Sequence, residues 1–326
     1  MIAAAMRAVR GWCDEAWETW DRFWFTPTDP ATLGLIRVLA GAMILYTHLV
    51  WTIGLERFLS RDGMLSPEFV RRFQETDWAW SHLNYIPPGL PLLIAHLAAL
   101  AIMGAFCAGW QTRITGLLTA ALVVSYANRA PAALFGLDQI NGFLALYLAI
   151  GPSGAAWSID RWLARRRTAP GPKRGGGSPA GEASTGAAPS IGANVSIRLI
   201  QLHMCLIYLF AAVGKLQGES WWNGEAFWGA VANREYQTMD LTWLAGYPML
   251  VAALTHITIF WELSYSALVW FRLTRPFIVA ISIPLHLGIA FGMGMITFGT
   301  IMIVGNLAFV PPATIRRVIS VAVRRS

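Results

Sequence analysis

Apolar residues dominate eight long stretches of the chain, which short polar segments separate. A helix of roughly 20 apolar residues crosses the hydrocarbon core of a bilayer, which is about 30 Å thick. Backbone polar groups find no water there, so a spanning segment satisfies them best as a helix. The pattern therefore predicts an all-α fold, a polytopic transmembrane helical bundle of about eight spans. The predicted spans cover 32–54, 90–110, 114–130, 138–153, 196–216, 247–270, 276–292 and 295–312.

The N-terminal segment, residues 1–29, has a different pattern. Trp12, Ala16, Trp20 and Phe23 recur at helical spacing, and polar residues occupy the opposite face. A helix of this type lies in the plane of the membrane interface, with its apolar face toward the acyl chains. We therefore predict an interfacial amphipathic helix ahead of the first span.

Composition supports a lipid environment. Of the 326 residues, 56% are hydrophobic and 13% are charged, whereas about 25% of a soluble domain is charged. Many of the 16 tryptophans lie at the edges of the apolar stretches, as is typical of amphipathic rings at the headgroup level of a bilayer. The net charge of +7 resides in short loops and the C-terminal segment, which is typical of a topology signal and argues against nucleic acid as a partner. Three cysteines predict no disulfide framework.

Alternate loops carry the excess of lysine and arginine, as the positive-inside rule requires. The basic cluster at 161–174 is the strongest signal, and it predicts that both termini lie in the cytoplasm. Residues 168–194 are rich in Gly, Pro, Ala and Ser without periodicity, which is typical of a flexible linker. The chain is thus predicted to consist of two four-helix halves, 30–167 and 195–326.

Strongly polar side chains at membrane depth cost about 2.5 to 3.5 kcal/mol each on insertion scales, so each is a candidate functional residue. In the fifth span, Gln201, Tyr208 and Lys215 follow one another at intervals of seven residues. Seven residues are nearly two full helical turns, so each side chain is rotated by only about 20° from the one before it, and the three share one face of the helix as a polar stripe. This stripe is the clearest polar feature within the predicted spans. The candidates are Arg37, Asn141, Gln201, Tyr208, Lys215, Glu262 and His286.

Each candidate also has a structural interpretation. Lys215 lies near the outer end of its span, where a lysine can extend its ammonium to the headgroups. His286 lies mid-span and could bond across the bundle. Arg37 and Glu262 could be buried charges that find partners inside the bundle. No two histidines lie four residues apart, and no cysteine or carboxylate supplies metal-ligand spacing, so no metal site is expected.

Four blocks of the sequence carry a family resemblance. The stretch PTDPATLGLIR at 27–37, followed by Gly41, is similar to the start of the vitamin K-dependent gamma-carboxylases and of their bacterial relatives, the HTTM domain proteins. Three further blocks agree in the same order, so that the resemblance covers nearly the whole chain. These blocks are 136–154 with WSID at 157–160, then 201–222, then 286–312.

The resemblance implies a chemistry. In the carboxylases, the lysine of the block that corresponds to 201–222 acts as a base, which implies that role for Lys215 and a functional role for His286. The implied cofactor is reduced vitamin K or a related hydroquinone, with O2 and CO2 as co-substrates, and no metal. The implied reaction is that of a carbon–carbon lyase: the hydroquinone becomes an epoxide, and the base so formed generates a carbanion that is carboxylated. The residues expected to bind substrate or quinone are Tyr208, Gln201, Arg37, Glu262 and Asn141.

The bacterial members of this family lack the large lumenal domain of the animal enzymes. The resemblance implies a protein of this bacterial type, located in a bacterial inner membrane. A second hypothesis remains open: a non-catalytic HTTM membrane protein that binds or matures a secreted peptide through the outer loops, 55–89 and 217–246. Those loops are rich in tryptophan, which suits contact with a peptide or the interface. A transporter is less well supported, since no inverted repeat is apparent.

Overall fold

The computed structural model describes residues 2–74, 78–168 and 187–325. This part of the chain is all-helical and contains no β-strand, apart from an isolated bridge between Thr28 and Ser190. Most of the predicted linker lies outside the described residues. The α-helices are α1 (Ile2–Phe25), α2 (Ala31–Val50), α3 (Pro67–Phe73), α4 (Leu90–Ala108), α5 (Thr112–Arg129), α6 (Gly136–Ile150), α7 (Ile159–Thr168), α8 (Ile191–Leu216), α9 (Glu219–Trp222), α10 (Ala226–Val231), α11 (Pro248–Leu268), α12 (Arg275–Gly292), α13 (Ile296–Asn306) and α14 (Pro312–Arg325).

All eight predicted apolar stretches contain a helix, and several of these helices can cross a membrane. Within the described residues, four are long and apolar enough by length and composition, and a bent pair would make five. The pair is Ile296–Phe309 with Pro312–Ala322, bent by 119°; Pro311 and Pro312 stand at the bend, where proline prevents the helix from continuing. The four are Ala31–Leu59, Leu90–Ala108, Ile191–Leu216 and Arg275–Gly292. These helices indicate a membrane protein.

The core joins helices from both predicted halves. Leu33 of α2, Leu144 of α6, Ile197 of α8 and Met302 of α13 belong to one buried apolar cluster. Small residues bring the helices close together, as is common in membrane bundles. A Cβ added at Gly41 would lie 2.9 Å from the backbone of Cys107, so that α2 and α4 pack backbone to backbone there.

One end of the bundle gathers the N-terminal and C-terminal segments. Asp29, just before α2, forms an ion pair with Arg316 of α14, with Nε and Nη2 each 2.7 Å from a carboxylate oxygen. The Asn194 amide of α8 donates to the main-chain oxygens of Phe23 and Trp24, at 2.7 and 2.8 Å. The start of α2, the start of α8 and α14 therefore lie at the same end of the bundle.

We expect the Asp29–Arg316 pair to make stability depend on acid pH. Hydrogen bonds from Arg316 lower the pKa of the Asp29 carboxyl below its ordinary value of 3.8. Because the folded-state pKa lies below the unfolded one, the stabilisation is present above about pH 5 and is lost as the pH falls through the folded-state pKa. A partly buried bidentate pair contributes about 1 kcal/mol. Thermal unfolding in detergent should therefore separate wild type from Asp29→Asn at pH 7, and the gap should be smaller at pH 3. An equal gap at both pH values would contradict this assignment.

Candidate functional site

The ion pair between Lys215 and Glu262 joins α8 to α11. Lys215 Nζ lies 2.9 Å from Oε1 and 2.7 Å from Oε2 of Glu262. The carboxylate side chain is only 8% exposed and the lysine side chain 23% exposed. The Trp221 ring lies 5.3 Å from the ammonium and adds a cation–π contact. Lys215 is therefore paired inside the bundle and does not extend its ammonium freely to the headgroups.

A second polar group lies on the same stripe of α8, two helical turns before Lys215. The Tyr208 hydroxyl is 2.7 Å from Nε2 of His286, and it accepts a hydrogen bond of 2.8 Å from the Asn306 amide. The Tyr265 hydroxyl donates to Oδ1 of Asn306 at 2.6 Å. This hydrogen-bonded chain, Tyr265–Asn306–Tyr208–His286, links α11, α13, α8 and α12 inside the bundle.

Aromatic rings surround this hydrogen-bonded chain of four side chains. The Tyr208 ring packs 4.9 Å from the ring of Trp261 and 4.2 Å from that of Tyr265, measured between centroids. Phe298 approaches His286 edge to face at 6.3 Å. Such rings exclude water and lower the local dielectric, which strengthens the hydrogen bonds inside.

The ion pair and the hydrogen-bonded chain are neighbours. Glu262 and Tyr265 are three residues apart on α11, and therefore share a face of that helix. The Tyr208 ring also contacts the ring of Trp261, the residue next to Glu262. Four of the predicted site residues thus form one site, which combines two ionisable partners with a directional hydrogen-bonded chain.

Gln201 and Arg198 lie further toward the end of the bundle that holds Asp29. Gln201 Nε2 donates to the carbonyl of Ala308 at 2.8 Å, and its Oε1 accepts from Arg198 at 2.9 Å. These contacts hold α8 against the end of α13. The structure therefore places Gln201 on the polar stripe, but in a structural contact away from Lys215.

Arg37 belongs to another part of the molecule. Its guanidinium is fully buried and donates to the carbonyls of Ser153 and Trp157, at 3.2 and 2.5 Å. The sequence led us to expect a partner for this buried charge inside the bundle. That partner is the main chain of the segment after α6, whose carbonyl oxygens accept these hydrogen bonds in place of a carboxylate. Arg37 therefore fixes the 153–157 turn and is not part of the Lys215 site.

Asn141 of α6 is 1% exposed, and neither of its amide atoms has a hydrogen-bond partner within the described residues. Nothing in the structure pairs it with Lys215 or Glu262. Its burial alone assigns it no role.

Asn306 and Tyr265 were absent from the site that the sequence predicted. Asn306 is a single polar residue of the last predicted span. Tyr265 resembles an ordinary core aromatic, although its spacing of three from Glu262 placed both on one helical face. Only the tertiary structure, in which α8 packs against both α11 and α13, brings their side chains together.

Within the described ranges, no group of three or more His, Cys, Asp and Glu residues could hold a metal ion. No protein-family model, no curated protein and no solved structure matches the chain.

Proposed function

We propose that the chain is a membrane enzyme that acts on a reduced quinone at the Lys215–Glu262 pair, in the manner of the vitamin K-dependent gamma-carboxylases and HTTM proteins that its sequence resembles. The observation that carries the proposal is the short, largely buried contact between Lys215 and Glu262, beside the Tyr208–His286 hydrogen bond. A charged pair buried among membrane helices is costly to insert, and such residues mark functional sites.

The pair can supply a base. Transfer of a proton from Nζ to the carboxylate, along a contact of 2.7 Å, converts the pair into a neutral amine and a carboxylic acid. Low-dielectric surroundings penalise separated charges far more than neutral groups. The amine then accepts the proton of a bound hydroxyl group, while Glu262 keeps the first proton nearby.

In this proposal, Tyr208 and His286 orient such a hydroxyl group and stabilise developing negative charge on its oxygen. Reduced vitamin K or a related hydroquinone would supply the reducing power, with O2 and CO2 as co-substrates for carboxylation. A secreted peptide or protein would be the acceptor of the carboxyl group.

The proposal is tested with the full chain in liposomes. Anaerobic addition of a vitamin K hydroquinone analogue, followed by oxygen, should give quinone epoxide, detected by chromatography. Empty liposomes and heat-denatured protein control for spontaneous oxidation. Epoxide above both controls would support quinol chemistry; none from a folded, quinol-bound wild type would overturn it.

A non-catalytic role in binding a secreted peptide has one specific observation in its favour. A cavity of about 580 Å³ opens among the loops at the end of the bundle opposite Asp29. Its lining mixes charge with aromatic surface and includes Arg61, Glu68, Arg71, Trp80 and Tyr85. Under this alternative, Trp80→Ala would weaken peptide binding while Lys215→Ala would not.

The topology belongs to the same proposal. We infer eight spans in a bacterial inner membrane, with both termini cytoplasmic and α1 lying along the interface. The last turn of α7 contains Arg165, Arg166 and Arg167. At the start of that helix, the main-chain N–H of Asp160 donates a hydrogen bond to the carbonyl oxygen of Gly109, at the end of α4. Since Arg37 ties the 153–157 turn to α2, this basic segment lies at the same end of the bundle as Asp29 and Arg316, which agrees with the positive-inside rule.

Cys13 offers a direct test of this orientation, because it is exposed on α1 whereas Cys205 is buried. We expect a membrane-impermeant maleimide to label Cys13 in inverted inner-membrane vesicles and not in intact spheroplasts. A Cys13→Ser variant controls for reaction at the other two cysteines. Labelling of Cys13 from the periplasmic side would contradict the orientation.

A further inference from the structure

The orientation of the Asn306 amide is fixed by the carbonyl group of Met302. Its Nδ2 lies 2.9 Å from the carbonyl oxygen of Met302, which can only accept a hydrogen bond. The opposite orientation would put two oxygen atoms in contact at that distance. The nitrogen therefore faces Met302 and Tyr208, while Oδ1 accepts from the Tyr265 hydroxyl.

This orientation sets the direction of the next hydrogen bonds. The Tyr208 oxygen accepts from Asn306 Nδ2, and its own proton has Nε2 of His286, 2.7 Å away, as its acceptor. If Nε2 carried the proton instead, the buried Tyr208 hydroxyl would have nothing to donate to within the described residues. A neutral imidazole that accepts at Nε2 carries its hydrogen on Nδ1. The chain of hydrogen bonds thus selects one tautomer of His286.

The Nδ1 atom of that tautomer is a buried donor. His286 is 2% exposed, and Nδ1 has no hydrogen-bond partner within the described residues. Buried donors are rarely left without a partner, since the loss of hydration is then uncompensated. A ligand oxygen would supply the missing acceptor, and the Phe298 ring beside His286 offers an apolar surface for it.

We propose that Nδ1–H of His286 donates a hydrogen bond to a ring oxygen of the bound quinone, and that Asn306 and Tyr208 are positioning residues that hold His286 in the donating tautomer. This inference rests on the proposed function for the identity of the ligand. The tautomer itself rests only on the geometry of the four side chains.

The tautomer is measured by nitrogen-15 NMR of the full chain in lipid, labelled at histidine, with His286→Gln to assign the signal. We expect a protonated Nδ1 and an unprotonated Nε2 in wild type. Tyr265→Phe should keep that state, because Met302 still orients the amide. Tyr208→Phe should lose it, since Nε2 no longer has the hydroxyl donor. A wild-type signal with the proton on Nε2 would overturn the assignment, as would an unchanged signal in Tyr208→Phe.

The ligand is tested with oxidised 2-methyl-1,4-naphthoquinone as the probe. Binding should shift the Nδ1 signal, and His286→Gln should bind the probe about tenfold more weakly. An unshifted Nδ1 signal at saturation would overturn the inference even if wild type forms epoxide. A shifted signal without epoxide formation would leave the inference standing and remove the proposed function. If folded wild type does not bind the probe, the ligand assignment is overturned.

Discussion

Lys215→Ala is expected to abolish quinol-dependent epoxide formation and to lower the free energy of unfolding by about 2 to 3 kcal/mol, because it leaves the Glu262 carboxylate buried without its partner. The carboxylate side chain is 8% exposed, and the hydrogen bonds from Nζ are the ones that its two oxygens receive within the described residues. Both effects arise from one side chain, so turnover and unfolding should be measured on the same preparation.

A paired variant separates the two effects. Replacing Lys215 and Glu262 together by leucine removes the uncompensated charge as well as the base, and such replacements of a buried pair are often neutral or stabilising. We expect the double variant to regain most of the lost stability and to remain inactive. Normal turnover by folded Lys215→Ala would remove the lysine from the mechanism, whatever its stability.

Gly109→Ala is the second variant for which we expect a large effect, here on stability alone. Gly109 ends α4 with a φ of +79°, a conformation that costs a residue with a side chain roughly 1 to 2 kcal/mol. An added Cβ would also meet the Arg37 guanidinium and the Ser158 side chain. Displacing a fully buried arginine from its carbonyl partners adds to that cost, so we expect a total loss of about 3 to 4 kcal/mol.

Gly104→Ala is the matched control, because it lies on the same helix, α4. A Cβ there would meet only the Leu45 side chain at 4.0 Å, an ordinary van der Waals distance, and alanine is the better helix former. Its unfolding free energy should stay within about 0.5 kcal/mol of wild type. Tryptophan fluorescence during thermal unfolding can follow both variants; equal stability of the two would contradict the role assigned to Gly109.

The positions of the helices follow from the apolar runs, but their lengths do not. α6 has 15 residues and α13 has 11, although the runs that contain them continue further. α6 ends at Ile150, just before Gly151 and Pro152, and α13 passes into a 3₁₀ turn before Pro311. Hydropathy counts apolar residues and does not register where the backbone stops being α-helical, so a count of spans from sequence remains a prediction.

The candidate site, too, was predictable from the sequence only in part. The spacing of Tyr208 and Lys215 predicted a shared stripe on one helix, because helical geometry alone fixes it. The partners of those residues come from α11, α12 and α13, and their contacts depend on how the helices cross. Arg37 illustrates the converse: a buried charge was predictable, whereas its use of main-chain oxygens depends on a turn that no periodicity describes.

The central position of α2 has a consequence for the biogenesis of the protein. The Thr32 hydroxyl of α2 donates to the carbonyl of Val310, 278 residues further along the chain, and α13 supplies part of the apolar surface around Leu33. A helix that is synthesised early therefore completes its packing only after α13 has been translated. Until then, its buried face must be covered by lipid or by the insertion machinery.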